Sequence, residues 1–244
     1  MTPTTTTLAA GMVFADLHFQ GLPRIIATGM LSGADGIALV DPSKLLASAG
    51  RLYGDDMERL WGEVAPVPPS AIVPLSGGEQ IAVGGRTWDV AHTPGHASHH
   101  VSFFSADSGV AFVGDTAGVQ VMPGGFVLPP TPPPDIDISL WIASLSTIER
   151  WHPQTLFQAH FGPSASVSAH LAELRDHLHL MERLAREAIA SIADNEREAW
   201  FIERLRREMG RRMGDADLRA YEVAGRLDLN WRGLARYVLK HPNG

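Results

Sequence analysis

Histidine and aspartate are the side chains of this sequence best placed to do chemistry, and three short segments bring them out of apolar runs in the same manner. In Val90-Ala91-His92-Thr93-Pro94-Gly95-His96 a Pro-Gly turn directly follows a strand-like run, and His96 directly follows the turn. Val110–Gly114 is a second apolar run and ends at Asp115; Thr155–Gln158 is a third and leads into Ala159-His160-Phe161-Gly162. If the three ends converge, two imidazoles and a carboxylate make a site for a divalent metal with positions left open for water. Each residue alone carries little weight, since an aspartate after a strand is usually a turn or cap residue and a loop histidine usually faces solvent. The chain has 11 histidines and no cysteine, so neither a disulfide nor a thiolate-bound metal is available to it. His, Asp and Glu ligands point first to zinc, with iron or manganese as the other candidates.

The elements that must position these residues can be read from spacing. Met12–Leu17, Ile25–Leu31 and Gly36–Val40 are short apolar runs bounded by Gly or Pro and open a sheet. From Ser43 to Trp61, Leu45, Leu46, Leu52, Met57, Leu60 and Trp61 recur at roughly helical spacing before the stop at Pro66-Val67-Pro68-Pro69. Strands resume at Gln80–Val83, Thr87–Ala91, Val101–Phe104 and Val110–Val113, separated by the Gly-Gly, Pro-Gly and Asp-Ser-Gly of tight connections. The proline-rich segment Pro129–Pro134 is predicted to be a stiff extended stretch on the surface. Asp137 caps a helix with Ile138, Trp141, Ile142, Leu145 and Ile148 on one face. From Ala165 onward Leu171, Leu174, Leu178, Met181, Ala185 and Ile189 trace a helical stripe. His99 and His100 open a strand and therefore face opposite sides, so at most one of them points inward.

At 244 residues with 45% apolar content, the chain suffices for a large domain with a substantial core. A net charge of −7 argues against nucleic-acid binding, because phosphate backbones are held mainly by Lys and Arg. Arg204, Arg206, Arg207, Arg211 and Arg212 lie close together but among Glu203, Glu208, Asp215 and Asp217, which predicts a solvated helix face with salt bridges rather than a partner surface. No run reaches the length of a membrane span and the Thr-rich start has no leader pattern, so the expected location is the cytoplasm, with no membrane partner.

In order and context, Thr93–His96 (TPGH), Gly114-Asp115 and His160-Phe161-Gly162 resemble the later ligand motifs of the metallo-β-lactamase superfamily, and Gly36–Asp41 (GIALVD) resembles its third strand. The resemblance runs from about Gly11 to Pro163. It implies an α/β fold of the αββα sandwich type, with a helical C-terminal extension. By the same resemblance His96 serves a first metal, Asp115 bridges two metals and His160 serves the second. The implied activity is hydrolysis of an ester, lactone, thioester or amide in a small-molecule substrate through a metal-bound hydroxide.

That family also carries an H-x-H-x-D-H motif between the GIALVD-like strand and the TPGH-like turn. Here the interval from Asp41 to Thr93 contains a single histidine, His92, which belongs to the TPGH segment. The only later H-x-H, His177-Leu178-His179, falls in a predicted helix, where residues i and i+2 diverge by about 200°; both are expected on the surface. The step from Asp41 to Pro42 resembles a join from which on the order of 50–70 residues are missing, judged from typical element lengths. The fold is then expected to be incomplete in its N-terminal half, with residues 1–164 as the metallo-β-lactamase-like domain and 165–244 as a helical module. Two metals in an intact member become one or none. Three functions remain open: a metal-dependent hydrolase with a mononuclear or incomplete site; a non-catalytic remnant or binding module; and an interaction protein, a possible homo-oligomer joined through Trp231, Leu234 and Tyr237.

Overall fold

A computed structural model describes residues 4–9, 12–16, 27–33, 36–38 and 73–242. The predicted helix Ser43–Trp61 and the join at Asp41-Pro42 lie outside them.

Four antiparallel strands, β1 (Thr4–Ala9), β2 (Met12–Asp16), β3 (Ala27–Gly33) and β4 (Gly36–Ala38), form a first sheet in sequential order. The second sheet comprises β5 (Gln80–Val83), β6 (Arg86–His92), β7 (Val101–Ser105), β8 (Val110–Phe112), β9 (Thr155–Gln158) and β10 (Gly162–Ser164), in the order β10-β9-β8-β7-β6-β5. Five helices follow or interrupt it among the described residues: α1 (Ile138–Arg150), α2 (Val167–Ser191), α3 (Arg197–Gly210), α4 (Asp215–Gly225) and α5 (Leu227–Lys240). The strands forecast from apolar runs are present within a few residues of their expected limits; β1 was not expected, because a run of threonines carries no alternation to reveal a strand.

Local chemistry fixes the register of the second sheet. Gly84 and Gly85, with φ of +62° and +69°, make the two-residue turn that pairs Val83 with Arg86, a conformation that suits the twist of a hairpin. Alternation then sends side chains to opposite faces. Phe104, Ala111, Val113 and Leu156 point to the helices and join one apolar cluster with Trp141, Leu145, Leu171, Leu174, Phe201 and Leu234. Trp88, Val110 and Phe157 point the other way and meet Met12 of β2, with Leu8 of β1 packed alongside. Sheet on sheet with helices outside the second sheet is the layered α/β architecture expected from the resemblance.

The directions of the strands set the location of the site. β6 and β7 are antiparallel, β7 and β8 are antiparallel, and β8 and β9 are parallel. So β6, β8 and β9 run the same way, and the segments after His92, Phe112 and Gln158 all emerge at one end of the sheet.

Three expectations are corrected. The segment Pro129–Thr131 is buried rather than superficial, because α5 covers it: Asn230 bonds to Thr131 at two points. His177 is buried too; its ring stacks on Phe126 at 3.6 Å and its Nδ1 lies 2.7 Å from the carbonyl of Val127, whereas His179 is exposed as expected. Trp231, Leu234 and Tyr237 are buried within the chain's own core, so they are not a surface for association. The arginine cluster behaves as forecast: Arg206, Arg207, Arg211 and Arg212 pair with Glu222, Glu203, Glu208 and Glu173.

Candidate metal centre

His96 is delivered by a turn that α1 grips. Ser144 Oγ donates to the carbonyl of Pro94 at 2.6 Å, the backbone N–H of Asp137 donates to the carbonyl of Gly95 at 2.9 Å, and the Asp137 side chain caps the helix by accepting from the N–H of Leu140. Gly95 has φ +130°, and a Cβ there would lie 2.3 Å from the Cα of Trp141, so only glycine permits this approach. The His96 ring stands edge-on to Trp141, with centroids 5.5 Å apart. Its Nδ1 lies 2.7 Å from the carbonyl oxygen of Pro130; a carbonyl only accepts, so Nδ1 carries a proton.

Its Nε2 faces Asp115, which sits in a single 3-10 turn, Gly114–Ala117, after β8. His96 Nε2 is 3.5 Å from Asp115 Oδ2, and His160 Nε2 is 3.6 Å from Asp115 Oδ1. His160 occupies the short link between β9 and β10, where its carbonyl accepts from the N–H of Gln120. All three residues singled out in the sequence are therefore brought together, with the carboxylate in the middle and one imidazole at each of its oxygens.

The surroundings tune this arrangement. The Asp115 side chain retains 31% exposure, but its Oδ1 is covered and has no hydrogen-bond partner among the described residues. Burial by itself raises the carboxyl pKa; the imidazoles of His160, His96 and His100 outweigh it and hold the group below the usual carboxylate range. His100 is the functional neighbour that motif spacing alone did not identify, although alternation already allowed one of the pair to point inward. Its Nδ1 lies 2.9 Å from Thr93 Oγ1 and 3.0 Å from Thr116 Oγ1, so one ring joins the turn before His96 to the residue after Asp115. Burial, helped by the neighbouring His96, lowers its pKa to about 4, which keeps it neutral near pH 7. Trp141 Nε1 donates to the carbonyl of Thr116 at 2.7 Å, and His170 Nε2 lies 2.7 Å from the carbonyl of Ala117, so helices brace the Asp115 turn from two sides.

The donor set fits a divalent cation. Two ligand atoms each about 2.1 Å from a tetrahedral metal lie roughly 3.4 Å apart, close to the spacing at both oxygens of Asp115. An orphaned carboxylate oxygen beside an imidazole is a partner short of satisfaction that a cation would supply. The fit is of two halves, each with one nitrogen and one oxygen. No group of three or more His, Asp or Glu side chains closes on a single point among the described residues.

Comparison with known proteins shows the family to which the chain is similar. The model of the metallo-beta-lactamase superfamily matches residues 28–160. The metallo-beta-lactamase fold-containing protein ST1585 of Sulfurisphaera tokodaii is 31% identical over 159 residues, which cover 65% of this chain and 54% of that protein. A hydroxyacylglutathione hydrolase of Synechococcus is 35% identical over 66 residues, 27% of this chain and 24% of that protein. The chain thus spans about half the length of the first of these relatives and a quarter of the second. Among solved structures, the archaeal superfamily protein ST1585 from Sulfolobus tokodaii superposes with a TM-score of 0.51 at 26% identity, covering 78% of this chain and 62% of that one. A beta-lactamase domain protein from Burkholderia ambifaria shares the fold, with a TM-score of 0.55 at 15% identity over 98% of this chain and 88% of the other.

Proposed function

This chain belongs to the metallo-beta-lactamase superfamily, and from that premise we propose that it is a metal-dependent hydrolase whose His96, Asp115 and His160 bind divalent metal, zinc before iron or manganese. The observation that carries this reading is the Asp115 carboxylate standing between two imidazole Nε2 atoms at 3.5 and 3.6 Å. A bound cation supplies Lewis acidity, lowering the pKa of water and polarising a carbonyl. The chain's own residues supply the rest: Pro130 fixes the tautomer of His96, Trp141 packs against its ring, and the Thr93–His100–Thr116 chain of hydrogen bonds sets the spacing of the two motif loops. The substrate is a small molecule with an ester, lactone, thioester or amide bond; the name of the Synechococcus relative, a hydrolase, supports the reaction class. The test is to purify the chain, measure bound metal and assay generic esters and lactones. Metal content with turnover supports the proposal; neither metal nor turnover sinks it.

A second reading has its own observation. Each oxygen of Asp115 faces one imidazole, and the sequence between Asp41 and Thr93 has no H-x-H-x-D-H segment to complete either half. On that ground the chain is a shortened, non-catalytic member that keeps the ligand geometry as a binding module. This reading predicts no turnover, and no change in metal content on His96→Ala.

A further inference from the structure

The carbonyl that accepts from His96 Nδ1–H belongs to Pro130, and the other end of that same peptide is held from the last helix of the chain. Asn230 on α5 has no solvent exposure; its Oδ1 accepts from the backbone N–H of Thr131 at 2.7 Å, and its carbonyl accepts from Thr131 Oγ1 at 3.2 Å. The carbonyl of Pro130 and the N–H of Thr131 are opposite ends of one planar trans unit, so a grip on the N–H sets the direction in which the carbonyl points. That carbonyl lies 2.7 Å from His96 Nδ1. A rigid plate thus joins Asn230 to His96. α5 also lies close against the peptide that follows, since a Cβ on Gly233 would lie 2.0 Å from the Thr131 carbonyl oxygen.

The asparagine carries a cost that packing does not explain. Its Nδ2 is buried without a hydrogen-bond partner among the described residues, and an unpaired buried amide is less favourable than an apolar side chain of similar size. The compensating use of the residue is its bond to Thr131. We propose that Asn230 is a positioning residue for His96, acting through the Pro130–Thr131 peptide to hold the Nδ1–H tautomer and aim Nε2 at Asp115. That Nε2 then serves a metal rests on the function proposed above; that Asn230 sets the ring does not.

The experiment compares the full metal-free chain with Asn230→Ala, and with Leu234→Ala as a core truncation on the same helix. Histidine ring nitrogen NMR reads the tautomer of His96, and titration with zinc alone reads affinity. Asn230→Ala is expected to give a mixture of His96 tautomers and a zinc Kd raised about tenfold, the scale of losses when a ligand's supporting bond is removed. Leu234→Ala is expected to lower the melting temperature while leaving both His96 readouts at wild-type values. Unchanged His96 signals in Asn230→Ala, or an equal change in Leu234→Ala, would overturn the proposal. Should Asn230→Ala not fold, Asn230→Ser is read in the same way. A wild-type chain that takes up no zinc fails the metal reading alone, because the tautomer comparison still decides the role of Asn230.

Discussion

On the two sides of the Asp115 carboxylate stand imidazoles that are held in different ways. His96 ends a turn clamped by Ser144 and Asp137, packs on Trp141 and hands its second nitrogen to a carbonyl that α5 secures. His160 is placed by the link between two paired strands and by the bond from Gln120 to its own carbonyl. The first is held through its ring as well as its turn, by a helix and a distant loop; the backbone of the second is held by strand pairing and by Gln120. Losing His96 should therefore be felt in folding and in binding, and losing His160 mainly in binding.

The change expected to act on both sides at once is Asp115→Asn. It keeps the shape but removes the charge shared by the two halves, so measurable zinc uptake should be lost and thermal stability near pH 7 should fall, because the imidazoles that hold this carboxyl below its usual range lose their charged partner. Zinc titration followed by a thermal melt checks both, and retained uptake would dissolve the idea of a shared ligand.

Acid should next weaken the His96 side. The folded pKa of His100 is depressed to about 4 from an ordinary 6.5, so the unfolded chain binds its proton first as pH falls. The stability from this group is fully present above about pH 6.5 and drains away towards pH 4, on the order of 3 kcal/mol in the metal-free chain. Buried His170 and His177 are shifted in the same direction by burial and add to the slope. Urea unfolding across that window in the wild type and in His100→Gln measures the share of His100; identical slopes would show that the ring does not titrate as described.

A direct comparison of the two imidazoles comes third. His96→Ala leaves the Pro130 carbonyl without its donor and a gap against Trp141, which should cost about 1–3 kcal/mol in urea unfolding, whereas His160→Ala should cost less. Equal midpoints would break the contrast between the sides. The smallest effect is expected from Ser144→Ala, which removes one clamp on the Pro94 carbonyl and should lower stability by about 1 kcal/mol.

Local pattern was enough to bring out the three candidate site residues and not their supports. The His96, Asp115 and His160 segments each follow an apolar run, and the common direction of β6, β8 and β9 turns that pattern into convergence. The Asp137 cap and the Gly84-Gly85 turn act within a few residues and were legible for the same reason. Burial of Pro129–Thr131 was not, because it depends on Asn230, 99 positions away from Thr131, and a proline run carries no periodicity to show which side is covered. His177 misled in a related way: its neighbours along α2 are mixed in polarity, and its partner, Phe126, comes from a loop. Trp231, Leu234 and Tyr237 were identified as a cohesive apolar face, but a face does not declare whether it meets a second copy or the chain's own core.

The pairing of β8 with β9 has a temporal side. These neighbours are parallel, so they cannot be joined by a tight turn; residues 113–154, including the whole of α1, must cross over before Thr155 can lie beside Val110. Closing so long a loop is slow compared with forming the β5–β6 and β6–β7 pairs, which are contiguous in sequence. During refolding the His96 turn and its strands can thus assemble early, while His160 reaches Asp115 only with the final closure of the sheet. A growing chain released before residue 160 would own two of the three candidate site residues and a sheet with an open edge, a species for which aggregation competes with completion.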